Sequence, residues 1–279
     1  MILLSGYVRR DSVMKLAISN IAWQQHNDTE ILSGLRERGV RGIEIAPTKV
    51  WPEWQGACTE EAILYGNRMR DAGFELPAMQ AILFGQPELQ VFDQTSHGKF
   101  IDHIKNVADL AQGMGVKVLV FGAPKNRIRG QLQMHDAMVR ATDFFRNIAE
   151  ICHERNCCIG LEHNPVEYGC DFVTNVADAK ELVEMVDHPG FQLHLDSAGI
   201  HMCGSNMSDV IRNAQEFVHF HISEPMLEPI SGGVVDHMSA ADTLIEIGYT
   251  GWVSIEMKMV PDIKSLYRSV DAAASCYVK

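Results

Sequence analysis

Dense basic runs, paired-cysteine motifs and long apolar stretches are all missing from this chain of 279 residues. With 24 Lys and Arg against 36 Asp and Glu, the net charge is −12. Nucleic-acid binders draw most of their affinity from cations that neutralise phosphates, so an acidic chain without a basic run argues against that class. Anionic membrane surfaces are disfavoured on the same ground. No stretch approaches the ~20 apolar residues that cross a bilayer. The seven cysteines (Cys58, Cys152, Cys157, Cys158, Cys170, Cys203 and Cys276) are odd in number and form no CxxC pair. That pattern fits neither a disulfide framework nor a thiolate zinc site. Free thiols and a cytoplasmic location are expected. The opening MILLSGYVRRDSV has too short an apolar run for a signal peptide, so residues 1–13 are expected to be an extension and residues 14–279 one domain.

What the chain does have is a repeat. A helical segment, a turn and a short apolar strand alternate, as in RERGVRGIEIAP, QGMGVKVLVFGAP, DHPGFQLHLDS and EIGYTGWVSIEMK. With KLAIS at residues 15–19, eight such strands are counted. The segments between them, such as KFIDHIKNVADLAQGMG, carry apolar residues at three- and four-residue spacing. Strict β–α alternation predicts a parallel sheet, and eight units predict a closed (β/α)8 TIM barrel. A doubly wound sheet would carry a phosphate-binding glycine fingerprint after its first strand, and KLAISNIAW has none.

The strands end on polar residues: Ser19 with Asn20, Glu44, Gln80, Glu162, His194 with Asp196, His219 with His221, and Glu256. In a barrel these ends share one rim, where barrel enzymes keep their sites. His194 and Asp196 share a face by two-residue spacing, as do His219 and His221, and Ser254 and Glu256; Leu193, Leu195, Phe220, Ile222 and Ile255 take the other face. Carboxylates facing a barrel interior need a partner, because desolvation costs several kcal/mol each. Glu162, Asp196, His221 and Glu256, on the fifth to eighth strands, therefore predict one divalent metal ion. Three oxygens and one nitrogen suit Mn²⁺, Co²⁺ or Mg²⁺ better than Zn²⁺. Glu44, on the second strand and away from these four, is read as structural.

The loop GAPKNRIRG places Lys125, Arg127 and Arg129 near the rim, where cations are suited to a substrate phosphate or carboxylate; solvated charges on a loop are the plainer alternative. Trp23, Gln80, His163, His194 and Glu224 are further candidates for lining the substrate pocket, or for supporting the residues that do.

The strings GLEHNP, LHLDS, FHIS and GYTGWVSIEMK resemble the xylose-isomerase-like superfamily of sugar-phosphate isomerases and epimerases, over nearly the whole chain from Met14. The resemblance implies the same four metal ligands, with Glu162 and Glu256 also acting as acid and base through an enediolate. It implies a small carbohydrate as partner and leaves homo-oligomerisation open. Two positions depart from the family's ketose epimerases. Gly199 stands where they carry a His three residues after the metal Asp, with His201 two residues late as a substrate-binding candidate, and SEPMLEP lacks their Arg. A lyase that dehydrates a keto-cyclitol or dehydroshikimate is the alternative in the same superfamily. An apurinic-site endonuclease needs more rim histidines than are present, and a binding protein with a relic site would show no turnover.

Overall fold

The computed structural model describes residues 14–24 and 28–278, so the expectation about residues 1–13 lies outside the described residues. The eight strands are β1 Lys15–Ser19, β2 Gly42–Glu44, β3 Ala78–Met79, β4 Val118–Phe121, β5 Cys158–Glu162, β6 Phe191–Asp196, β7 His219–Ser223 and β8 Trp252–Glu256. All are parallel to their neighbours, in the order β2-β1-β8-β7-β6-β5-β4-β3. The remaining gap, between β2 and β3, is bridged by Ile43 N–H to the Glu75 carbonyl (2.9 Å), Ile45 N–H to Ala78 (3.0 Å) and Gln80 N–H to Ile45 (2.8 Å). The sheet thus closes into the expected barrel, its last seam the loosest.

One or more helices follow each strand, among them six residues at Ser197–Met202 after β6 and 21 at Met134–Glu154 after β4. Their geometry comes from simple local chemistry. The helix Met134–Glu154 buries Ala137, Met138, Ala141, Phe144, Phe145, Ile148, Ala149 and Cys152, one stripe at helical spacing against the sheet. Side-chain caps begin several of the others: Asn175 accepts from Asp178 N (2.9 Å), Asp236 from Ser239 N (3.0 Å) and Asp262 from Ser265 N (2.8 Å). At Gly115 the chain leaves the helix His97–Met114 with φ of 81°, a left-handed turn that a side chain would strain, and enters β4. Among the described residues no helix is long and apolar enough to cross a membrane.

The apolar core has two parts. Leu193, Leu195, Phe220, Ile222 and Ile255 point outward into the large layer between sheet and helices, as their parity requires. Inside the barrel a small plug of Ala78, Val118 and Val120, with Cys158 and Val218 against it, fills the lower end. Above the plug the buried side chains are polar. Ser19, Glu44, His194, His221 and Ser254 are each 0% exposed. The barrel is therefore sealed at one end by hydrocarbon and lined at the other by groups that need partners.

Candidate active site

Four polar groups at this end of the barrel converge. Glu162, Asp196 and Glu256 are the last residues of β5, β6 and β8, and His221 is the middle residue of β7. Parallel registry sets Asp196 beside His221 and Ser223 beside Glu256. His221 Nδ1 lies 3.1 Å from Glu162 Oε1 and 3.2 Å from Glu256 Oε2. One potential ligand atom from each of the four residues falls within 4.8 Å of all the others. Asp196 is oriented by Gly199 N–H (2.6 Å to Oδ1) and by a short hydrogen bond from the Ser223 hydroxyl to Oδ2.

The electrostatics ask for a cation. Burial pushes the Asp196 carboxyl up to about 7, and the charges of Glu162 and Glu256 add to that push. Burial raises Glu256 as well. Burial alone would lower His221, but Glu44, Glu256 and Glu162 around it hold the imidazole well above its usual range. Three carboxylates thus surround one imidazole, and crowding of negative charge favours protonated forms. The donor set fits a divalent ion: His221 spends Nε2 on Glu44 (2.9 Å), which turns Nδ1 toward Glu162 and Glu256.

Glu44 corrects a sequence expectation. It is not away from the site. Its side chain crosses the barrel interior, with Oε1 on His221 Nε2 and Oε2 on His219 Nε2 at 3.1 Å. Burial alone would raise its carboxyl, but His221 and His219 together hold it well below the usual range. A charged Glu44 orients the candidate ligand His221 from behind, so the structural reading stands in a sharper form. Strand order alone hides this contact, because inward side chains meet across the lumen.

A family profile described as xylose isomerase-like TIM barrel matches residues 32–274. The chain belongs to that family. No match is found among curated proteins. Several solved structures share the fold of this family barrel. The 3-keto-D-glucoside 4-epimerase YcjR from E. coli, in its apo form, superposes with a TM-score of 0.77 at 17% identity, covering 94% of this chain and 100% of that one. D-psicose 3-epimerase with D-tagatose, from Clostridium cellulolyticum, gives 0.79 at 15% identity, over 95% and 98%. The IolI protein with a bound zinc atom gives 0.72 at 19% identity, over 94% and 99%. At these identities the likeness is one of fold.

The rim of this family barrel departs from the sequence expectations in several places. Arg127 does not face a substrate. It is 0% exposed and spends its guanidinium on the carbonyls of Glu162 (2.8 Å), Phe121 (3.4 Å) and Val173 (3.4 Å), on Asn164 Oδ1 (2.9 Å) and on Cys170 Sγ (3.4 Å). Arg129 is likewise used, on the Asp171 carbonyl (2.8 Å) and the Leu132 carbonyl (2.6 Å). Of the three loop cations only Lys125 projects exposed. Glu224 is also withdrawn: it accepts from Val234 N (2.9 Å), Val235 N (3.2 Å) and His237 Nε2 (3.0 Å), tying the loop after β7 to the last helices. His201 is exposed, about 200° around its short helix from Gly199. Carbonyl acceptors in loops carry no sequence signal, which is why these roles were not legible.

The remaining candidates stay near the site or its support. Gln80 is buried and donates to Ser19 Oγ at 2.6 Å. Trp23, also buried, lines a cavity of about 360 Å³ with Met259, Val260, Pro261 and Leu266. His194 is fully buried, packs edge-on against His221 (4.2 Å between centroids) and brings Nδ1 to 3.6 Å from Glu162 Oε1. His163 fills the space that the absent side chain of Gly199 leaves. A Cβ there would stand 2.6 Å from its Nε2. Burial lowers the His163 imidazole to about 4.

Tyr168 was missed. Its hydroxyl accepts from Met226 N–H at 3.1 Å, joining the loops after β5 and β7. Burial pushes it up to about 12, and the Asp196, Glu256 and Glu162 charges add to the effect, so it lies within electrostatic reach of the site. It sits on an irregular turn six residues past Glu162, where no periodicity marks it.

Proposed function

We propose that this protein is a divalent-metal-dependent isomerase or epimerase of a sugar, a sugar phosphate or a related polyhydroxy carbonyl compound, working through an enediolate. The observation that carries the reading is the pair Glu162 and Glu256. They stand on β5 and β8, with β6 and β7 between them, and both reach His221 Nδ1 within 3.2 Å. Two carboxylates on either side of a substrate carbon can take a proton from one face and return one to the other, which inversion requires. An ion held by Glu162, Asp196, His221 and Glu256 would supply the positive charge that offsets the oxyanion developing on the substrate. Glu44 would keep His221 turned toward that charge, and Ser223 and Gly199 would keep Asp196 in place. Burial raises the Glu256 carboxyl, which favours the protonated form that an acid needs. Two fold neighbours, a 4-epimerase and a 3-epimerase of sugars, lean the same way.

The test is proton exchange. Incubation of the metal-loaded protein with D-tagatose, D-psicose, D-fructose and 3-keto-glucosides in D2O should place deuterium next to the carbonyl of the true substrate and build up its epimer or isomer. Mn²⁺, Co²⁺ and Mg²⁺ are tried in turn, with Zn²⁺ included because IolI carries it. An ultraviolet-absorbing enone with no epimer would point to dehydration instead. Exchange and turnover that persist unchanged in Glu162→Gln and Glu256→Gln would remove the basis of the reading.

A further inference from the structure

Among the described residues Arg127 is one of the largest fully buried side chains, and the hydrogen-bond partners it has are uncharged. A buried cation without a counter-ion is expensive, and a hydrocarbon side chain of that volume would be cheaper. Its bonds, however, share a target. One Nη1–H goes to the Glu162 carbonyl at 2.8 Å, at the end of β5. Nη2 holds Asn164 by Oδ1 at 2.9 Å, which leaves the Asn164 amide to face Glu162 Oε2 at 3.4 Å. The guanidinium therefore reaches Glu162 twice, through its main chain and, by way of Asn164, through its carboxylate.

Two independent features frame the same carboxylate. Gly122, next to the Phe121 carbonyl that Arg127 also holds, has no room for a side chain: a Cβ there would overlap Glu162 Oε2. Val173 adopts φ of 58°, a left-handed conformation unusual for a β-branched residue and strained. Its carbonyl receives both Arg127 Nη2 (3.4 Å) and Asn164 N–H (3.2 Å). Strain that is held in place by a buried cation, around one side of one carboxylate, is the mark of a built support.

We infer that Arg127 is a positioning residue for Glu162: through Asn164 and the Glu162 main chain it sets where that carboxylate stands, and so how well the site binds metal. This rests on the reading of Glu162 as a metal ligand. The experiment measures Mn²⁺ affinity by calorimetry on the purified full-length protein for R127K, N164L, E162Q and the double variant R127K/E162Q, alongside thermal melts without metal. R127K keeps the charge but loses the fork. N164L removes the relay and leaves the other Arg127 bonds. R127K and N164L should each weaken Mn²⁺ binding about tenfold, the lower range for lost outer support. R127K should add less than about twofold when E162Q is already present, since coupled groups are not additive. Wild-type Mn²⁺ affinity in folded N164L and R127K, with only a lower melting temperature, would show a mere loop strut and overturn the inference. So would full additivity in the double variant. Should R127K fail to fold, N164L alone decides. An E162Q protein that binds Mn²⁺ as tightly as wild type overturns the Glu162 reading itself, and that result is read in a separate arm.

Discussion

Glu162 and Glu256 close the same site from opposite sides, yet they are held in different ways. Glu162 leans on the backbone at Gly122, faces the Asn164 amide and has its main-chain carbonyl tied to Arg127. For the Glu256 carboxylate the described contact is the His221 imidazole at 3.2 Å. Their side-chain exposures are close, 10% and 14%, so depth does not separate them. Support does. A carboxylate whose main chain and neighbours are fixed is preorganised for one geometry, whereas the Glu256 carboxylate shares the His221 imidazole with Glu162. The β5 side of the site is thus the one tied into its neighbouring loops by Arg127 and Asn164.

The largest effect expected is that of metal removal, which acts on both sides at once. Chelation should abolish turnover, and Mn²⁺, Co²⁺ or Mg²⁺ should restore it; full activity in rigorously metal-free protein would break the scheme. Next come the two glutamates. E162Q and E256Q should each lower kcat at least ~10²-fold, as loss of general acid–base catalysis does. The comparison is sharpened if one of them still exchanges the substrate proton of a single epimer with D2O, because each remaining base reaches only its own face.

Gly122→Ala probes the β5 side alone. The new methyl group must displace the Glu162 carboxylate, and a misplacement of about 1 Å costs up to ~10² in rate. A kcat lowered about tenfold or more is expected, with little further loss when G122A is combined with E162Q. An unchanged kcat in G122A would mean that the Glu162 position is not critical.

The pH dependence of the metal-free protein follows from Asp196, Glu256 and His221. Unfolded, an Asp titrates near ~4, whereas folded Asp196 titrates at about 7. Between those values the folded state holds the extra proton, so stability falls as pH rises through that window. The raised Glu256 and His221 act in the same direction. Glu44, held low, gains its stabilisation at more acid pH and stays ionised throughout. Melting temperatures taken without metal should decline between pH 5 and 7.5, stability falling by up to about 1.4 kcal/mol per group per pH unit. Added Mn²⁺ should raise them more at the upper end. A flat profile would show that the carboxylates do not share protons as described.

The smallest effect on turnover is expected at Glu224, which lies outside the pair. E224Q weakens charge-assisted bonds to two main-chain N–H groups and His237. A loss of about 2 kcal/mol is expected, or roughly 4–8 °C in melting temperature for a chain of this size. Near-normal kcat with that melting shift would confirm a strut; lost kcat at unchanged stability would return Glu224 to the substrate.

Much of this was legible from spacing. The pairs His194/Asp196 and His219/His221 announce which faces point inward, and Glu162 and Glu256 end strands whose other residues are apolar. Side-chain parity is local covalent geometry, so it survives folding unchanged. That is why the four candidate ligands, the outward layer of Leu195, Phe220 and Ile255, and the eight-stranded closure could all be read before the structure. Tertiary structure alone decided the partners. Glu44 meets His219 and His221 only because the closed barrel brings the β2 interior face across the lumen. Arg127, a plausible substrate cation in the string GAPKNRIRG, turns inward because the carbonyls of Phe121, Glu162 and Val173, from three different stretches of chain, meet there and accept its N–H groups. A sequence states which groups a chain carries and which way a strand turns them; which acceptor is left hungry, and what reaches it, exists only once the loops are closed.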